Sequence, residues 1–152
     1  DDAVGIVSTC WYSAQLDNSQ NKKLVDGMLR DYKVDPGFYA AATYTNGAVL
    51  EAALNKIGSK IEDKNALIAA LRSSDKVETA RGPVSFDKYG NVVGNVYIRK
   101  VEKKGGKLVN TVVKTYPNVS QFWTYDADEC ASFTRRDRSA IYGAFHLYRL
   151  RG

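Results

Sequence analysis

The chain has 152 residues, 44% of them apolar, enough for one domain with a core of its own. No run of about 18 apolar residues occurs, which excludes a helical membrane span, and residues 1–3, Asp-Asp-Ala, lack the basic and apolar stretches of a signal peptide. The net charge of +5 invites nucleic acid, but residues 131–152 carry +4 of it and the preceding 130 residues only +1, so no nucleic-acid partner is expected of the near-neutral body.

Residues 3–9, Ala-Val-Gly-Ile-Val-Ser-Thr, read as a buried strand of the parallel type. Asp17 is the expected N-cap of a first helix over about 18–32, with Gln20 completing a capping box. Leu24, Val25, Met28, Leu29 and Tyr32 recur on one face of that helix. Asp35-Pro36-Gly37 stops it. A second helix spans about 37–57, with Ala48, Val49, Ala52, Ala53 and Ile57 facing inward and Gly58 closing it. A third starts after Asp63 and turns Leu67, Ile68 and Leu71 inward.

The pattern then changes to strands. Val84 and Phe86 alternate around Ser85, and residues 87–91 have turn chemistry. Residues 96–101 and 108–116 form a hairpin across Lys103-Lys104-Gly105-Gly106. The fold class is therefore α/β: one strand, three helices, then an antiparallel unit. A single leading strand cannot supply the sheet these helices need, so the chain reads as part of a larger fold.

No catalytic constellation stands out. His146, the single histidine, lies in a segment set apart by composition: residues 131–152 hold five arginines and no lysine, against four arginines and 13 lysines before them. The chain is accordingly divided into 1–130 and a basic tail, 131–152. Cys10 and Cys130 form no CxxC pair, so two separate thiols are expected and no metal site or cofactor. Glu62 and Asp63, and the group Asp126, Asp128 and Glu129, read as caps and solvated loops. Phe122-Trp123-Thr124-Tyr125 lacks the interleaved basic residues of a nucleic-acid stacking platform.

Two aromatic groups suit a small-molecule cleft. Trp11 and Tyr12 follow the first strand, at the edge where α/β sheets bind ligands, and Tyr44 stands between Thr43 and Thr45 early in the second helix. Aromatic walls with a few hydroxyls give packing and orientation; core or interface packing accounts for the same spacing.

Several segments, in order over residues 3–127, resemble the type I periplasmic binding proteins that serve importers of branched-chain amino acids, amides and aromatic acids. They are residues 5–9 and 12–18, Asn21-Lys22, Pro36-Gly37-Phe38-Tyr39, Thr43-Tyr44-Thr45-Asn46 with residues 50–54, Arg81-Gly82-Pro83-Val84 with Phe86-Asp87, and Val96-Tyr97-Ile98-Arg99. The resemblance implies two α/β lobes joined by three hinge crossings that close on a ligand, of which this chain holds only the later part. Residues 10–17 would be a hinge crossing. Tyr44 matches an aromatic position facing the cleft, and Trp11 and Tyr12 the crossing beside the ligand. Thr45 stands where many relatives carry an aspartate.

The implied function is that of a substrate-binding component of an ABC transporter, not an enzyme. It would capture a branched-chain amino acid, an amide or a related small acid in the periplasm. Its partners would be the solute, a membrane permease and the missing N-terminal lobe. A ligand-sensing domain with the same fold, and a truncated chain without binding activity, are the alternatives.

Overall fold

The computed structural model describes residues 2–73 and 76–125; Cys130, His146, the acidic group at 126–129 and the basic tail 131–152 lie outside them. The chain divides into two compact units, Asp1–Ser120 and Gln121–Gly152, and the fold below belongs to the first. Its elements run β1 (Val7–Cys10), α1 (Ser19–Tyr32), α2 (Phe38–Ile57), α3 (Lys64–Arg72), β2 (Val77–Thr79), β3 (Gly82–Phe86), β4 (Val92–Lys104) and β5 (Lys107–Val119).

The three helices stand where periodicity puts them, but their ends and faces correct the reading in detail. Asn18, not Asp17, caps α1: its extended backbone lets Oδ1 accept from the Asn21 amide at 2.8 Å. Gln20 closes no capping box, because its Oε1 accepts from the Tyr44 hydroxyl at 3.2 Å. Tyr32 is exposed. Along α2, Ala41, Thr45, Val49 and Ala53 form the buried stripe at i, i+4 spacing, and Gly58 donates to the Leu54 carbonyl to end the helix. In α3 Asp63 accepts from the amides of Asn65 and Ala66, as a cap does, but the buried residue is Ala70, and Ile68 faces outward.

All five strands pair antiparallel in one sheet, ordered β1-β4-β3-β2, with β5 on the other side of β4. β4 is the long member that organises it. Its first part pairs with β3 (Val84 opposite Gly94), and its middle pairs with β1 (Cys10 opposite Tyr97). The Gly105-Gly106 turn joins β4 to β5 with both glycines at positive φ, the geometry two-residue hairpins require. A register shift against β5 between Gly94 and Val96 falls where β4 passes from β3 to β1, and a second, between Ile98 and Arg99, lies within the stretch paired with β1. The helices pack on β2 and on one another.

β1 departs furthest from expectation. It begins at Val7, pairs antiparallel and turns Ser8 and Cys10 inward, while Val4, Ile6 and Val7 are 48%, 55% and 62% exposed. Nothing among the described residues covers this apolar face. No helix among the described residues is long and apolar enough to cross a membrane.

Candidate functional site

The segment that links β1 to α1 is held from three sides. Asn21, fully buried, accepts from the Tyr12 hydroxyl at 2.8 Å and donates to the carbonyls of Ala14 (3.1 Å) and Leu16 (2.8 Å). Arg99 on β4 donates to the Tyr12 carbonyl at 2.7 Å and to the Ser8 hydroxyl at 3.2 Å. Ser13 donates to the Asn110 carbonyl on β5. One hub therefore satisfies a turn whose carbonyls would otherwise be buried without partners. Burial, with a smaller contribution from Asp35, pushes the Tyr12 phenol well above its usual pKa, so it stays a donor to Asn21.

With the backbone fixed, the Trp11 indole presents a wall. Phe38, at the start of α2, meets it edge-on with ring centroids 5.9 Å apart, and Tyr39 lies 4.1 Å from Phe38. The Arg81 guanidinium sits 4.4 Å above the Trp11 ring, a cation–π contact. Arg81 belongs to the two-residue turn between β2 and β3, and Gly94 leaves room for its Nη2. Gly82 beside it adopts φ +94° against the Tyr97 hydroxyl, which donates to the Arg81 carbonyl at 2.7 Å. Burial pulls the Arg81 guanidinium below its usual pKa; Tyr97 and Cys10 oppose this only in part.

Two cavities flank this region. One of about 390 Å³ lies between α1, α2 and β2, where Tyr44 and Gln20 meet Glu51, Asn55 and Glu78. The other, about 300 Å³, lies between the Tyr12 segment, the α2 entry and β5. Neither is lined by Trp11 or Arg81; the charged lining of the larger is acidic, and the smaller carries Arg99 and Asp35. We place the candidate site at the Trp11 wall, where an arginine and aromatic faces converge.

The four residues expected to contact a ligand are not gathered in one cavity. Trp11, Tyr12 and Tyr44 share one apolar cluster with Leu24, Ala41 and Ala80. Tyr44 lines the larger cavity and Tyr12 the smaller, with only 1% of Tyr12 exposed. Thr45 lies on the buried stripe of α2, its hydroxyl without a hydrogen-bond partner. Arg81 and Phe38 were not singled out by sequence reasoning, although both stand inside segments that carry the resemblance. Among the described residues, no group of three His, Cys, Asp or Glu could hold a metal ion.

The family described as "Periplasmic binding protein" matches residues 1–107. Among solved structures, a solute binding protein of an ABC transporter from Rhodopseudomonas palustris BisB5, in complex with 3,4-dihydroxy benzoic acid, is 37% identical; the match covers 79% of this chain and 33% of that one, with TM-score 0.72. An ABC transporter substrate-binding protein from Sphaerobacter thermophilus is 28% identical over 78% of this chain and 32% of its own, also at TM-score 0.72. A solute binding protein from R. palustris in complex with 4-hydroxybenzoate is 30% identical over 78% and 32%, with TM-score 0.66. No curated protein matches the chain. The chain thus spans about a third of the length of the structures it resembles.

Proposed function

Because this chain belongs to the type I periplasmic binding protein family, we propose that the full protein it represents is the substrate-binding component of an ABC transporter. It works outside the cytoplasm, captures a small solute by lobe closure and hands it to a membrane permease, with no chemistry of its own. The solute is an aromatic acid before it is a branched-chain amino acid. The observation that carries this choice is the Trp11–Phe38 wall with Arg81 above it: planar rings stack on aromatic faces, and a guanidinium favours an anion. The bound 3,4-dihydroxy benzoic acid of the 37% identical structure supports the same class.

The remaining wall of such a cleft comes from the N-terminal lobe, which also covers the exposed face of Val4, Ile6 and Val7. Thermal-shift measurements on the intact protein test the reading with 3,4-dihydroxybenzoate, 4-hydroxybenzoate, benzoate and leucine. A ligand at about 100 times its Kd is expected to add roughly 2.7 kcal/mol of stability, a rise of a few degrees in Tm. The benzoates should shift the melt most. No shift with any of the four would count against solute capture.

A further inference from the structure

We propose that the β4–β5 hairpin is a docking surface for an anionic lipid bilayer, with the lysines around its Gly105-Gly106 tip as the contact. The inference goes beyond solute capture and does not depend on which solute is bound.

Its starting point is a charge separation that a near-neutral total conceals. Residues 100–114 hold five lysines, at 100, 103, 104, 107 and 114, against one acid, Glu102. The rest of residues 1–130 holds 12 basic and 15 acidic side chains, so a strongly positive hairpin stands on a net negative body. Such a dipole orients a molecule near a charged surface. All five lysines are exposed. Glu102 offsets only one of them: it lies 3.4 Å from Lys104 and accepts from the Thr111 hydroxyl at 2.6 Å.

The sheet geometry carries this charge outward. β1 pairs with β4 as far as Lys100, and the backbone bonds of Gly5 and Ile6 reach Val101. Beyond that point, among the described residues, the hairpin runs on as two strands alone. Lys104 stands opposite Lys107 and Lys103 opposite Leu108, so alternation puts the first pair on one face and the second on the other. Positive charge therefore surrounds the tip, and Leu108, 47% exposed, stands among it. Two lysines directly opposite each other repel, a cost that a nearby anionic surface relieves.

The chemistry favours lipid over protein. Protein interfaces are anchored by aromatic residues and arginine and are depleted in lysine, and residues 102–109 contain no aromatic residue and no arginine. Lysine is a hydrated point charge on a flexible stem, suited to a headgroup layer that sets no fixed geometry. Each lysine held near an anionic bilayer strengthens binding by about fivefold, and an exposed leucine adds apolar contact at the acyl boundary. For a carrier that serves a membrane permease, contact with the bilayer shortens the search.

The test is co-sedimentation of the intact protein with vesicles of phosphatidylcholine, alone or with about 30% phosphatidylglycerol. At about 50 mM salt wild type is expected to bind the anionic vesicles at least about tenfold more tightly, and to lose most of that preference at about 500 mM. Lys103→Gln, Lys104→Gln and Lys107→Gln combined should weaken binding to the anionic vesicles by at least about twentyfold. Arginine at the same three positions keeps the charge and should bind within about threefold of wild type. The control, Lys23→Gln, Lys60→Gln and Lys64→Gln combined, removes the same charge from the helical part and should change binding by less than about threefold. A melting curve identifies a variant that fails to fold; Lys107→Gln alone, expected to weaken binding by about fivefold, then carries the test.

Wild type without a preference for the anionic vesicles overturns the proposal and leaves an acidic protein surface as the hairpin's partner. A folded hairpin variant that binds within threefold of wild type overturns it too, and places the contact elsewhere on the chain. Equal losses in the hairpin variant and the control overturn it as an effect of net charge alone. Failure of solute capture shows separately, as an absent thermal shift in protein that still binds the vesicles.

Discussion

Asn21→Leu is expected to destabilise the intact protein by about 3–5 kcal/mol, the largest effect of any single side-chain change in this region. The substitution keeps the volume but strands the Tyr12 hydroxyl and the carbonyls of Ala14 and Leu16, all of which use Asn21. Each buried group left unsatisfied costs about 1–3 kcal/mol, so the effect exceeds that of a typical core change. Tyr12→Phe breaks only one of the three contacts and should cost about 1–2 kcal/mol. Urea unfolding checks both through a lower midpoint at unchanged slope. The double variant should cost less than the sum, because the two residues share a hydrogen bond. Since this hub sets the path of residues 10–18, solute affinity should fall with it.

Gly82→Ala is the second severe change, expected to cost about 2–5 kcal/mol. Two independent problems meet there. At φ +94° an L side chain is strained, and the added Cβ would lie 2.8 Å from the Tyr97 hydroxyl and 3.1 Å from the Asn95 amide nitrogen. Neither neighbour yields easily, because Tyr97 is tied to the Arg81 carbonyl and to Asn95. Gly94→Ala is the matched control. Its backbone needs no positive φ, and its new contacts begin at 3.5 Å, so a change within about 1 kcal/mol is expected. Unfolding of the two variants under the same conditions separates glycine required by backbone and close approach from glycine that only leaves space.

Helices were the most legible part of this chain, and the reason is local. Leu24, Val49 and Ala53 repeat at the helical period, and Gly58 and Asp63 carry their own stop and start signals. What periodicity could not settle is which of two adjacent caps acts: Asp17 and Asn18 have equivalent chemistry, and only Asn18 also reaches the Ala80 carbonyl, 62 residues on. β2 escaped notice because three residues, Val-Glu-Thr, carry too short a pattern; it exists through its pairing with β3.

β1 was misread for a different reason. An apolar run signals burial, yet the residues that would bury Val4, Ile6 and Val7 are not among those described. The site was legible only in part. Trp11 is conspicuous as an aromatic just after the first strand and Tyr44 as one between two threonines, whereas Arg81 reads as an ordinary turn arginine until the fold sets it over Trp11. Thr45 shows the reverse. A hydroxyl next to an aromatic suits a cleft on paper, but the helical period turns it into the packed face of α2.

The most direct measurement of the central claim is titration of the intact protein with 3,4-dihydroxybenzoate before and after Trp11→Ala. If Trp11 is a wall of the solute site, wild type binds one equivalent at micromolar Kd or tighter. Loss of the stacked ring then weakens binding by about 10- to 100-fold, as removal of a stacked aromatic contact worth 1–3 kcal/mol requires. Unchanged affinity in a folded Trp11→Ala protein would contradict the account and move the solute site away from Trp11.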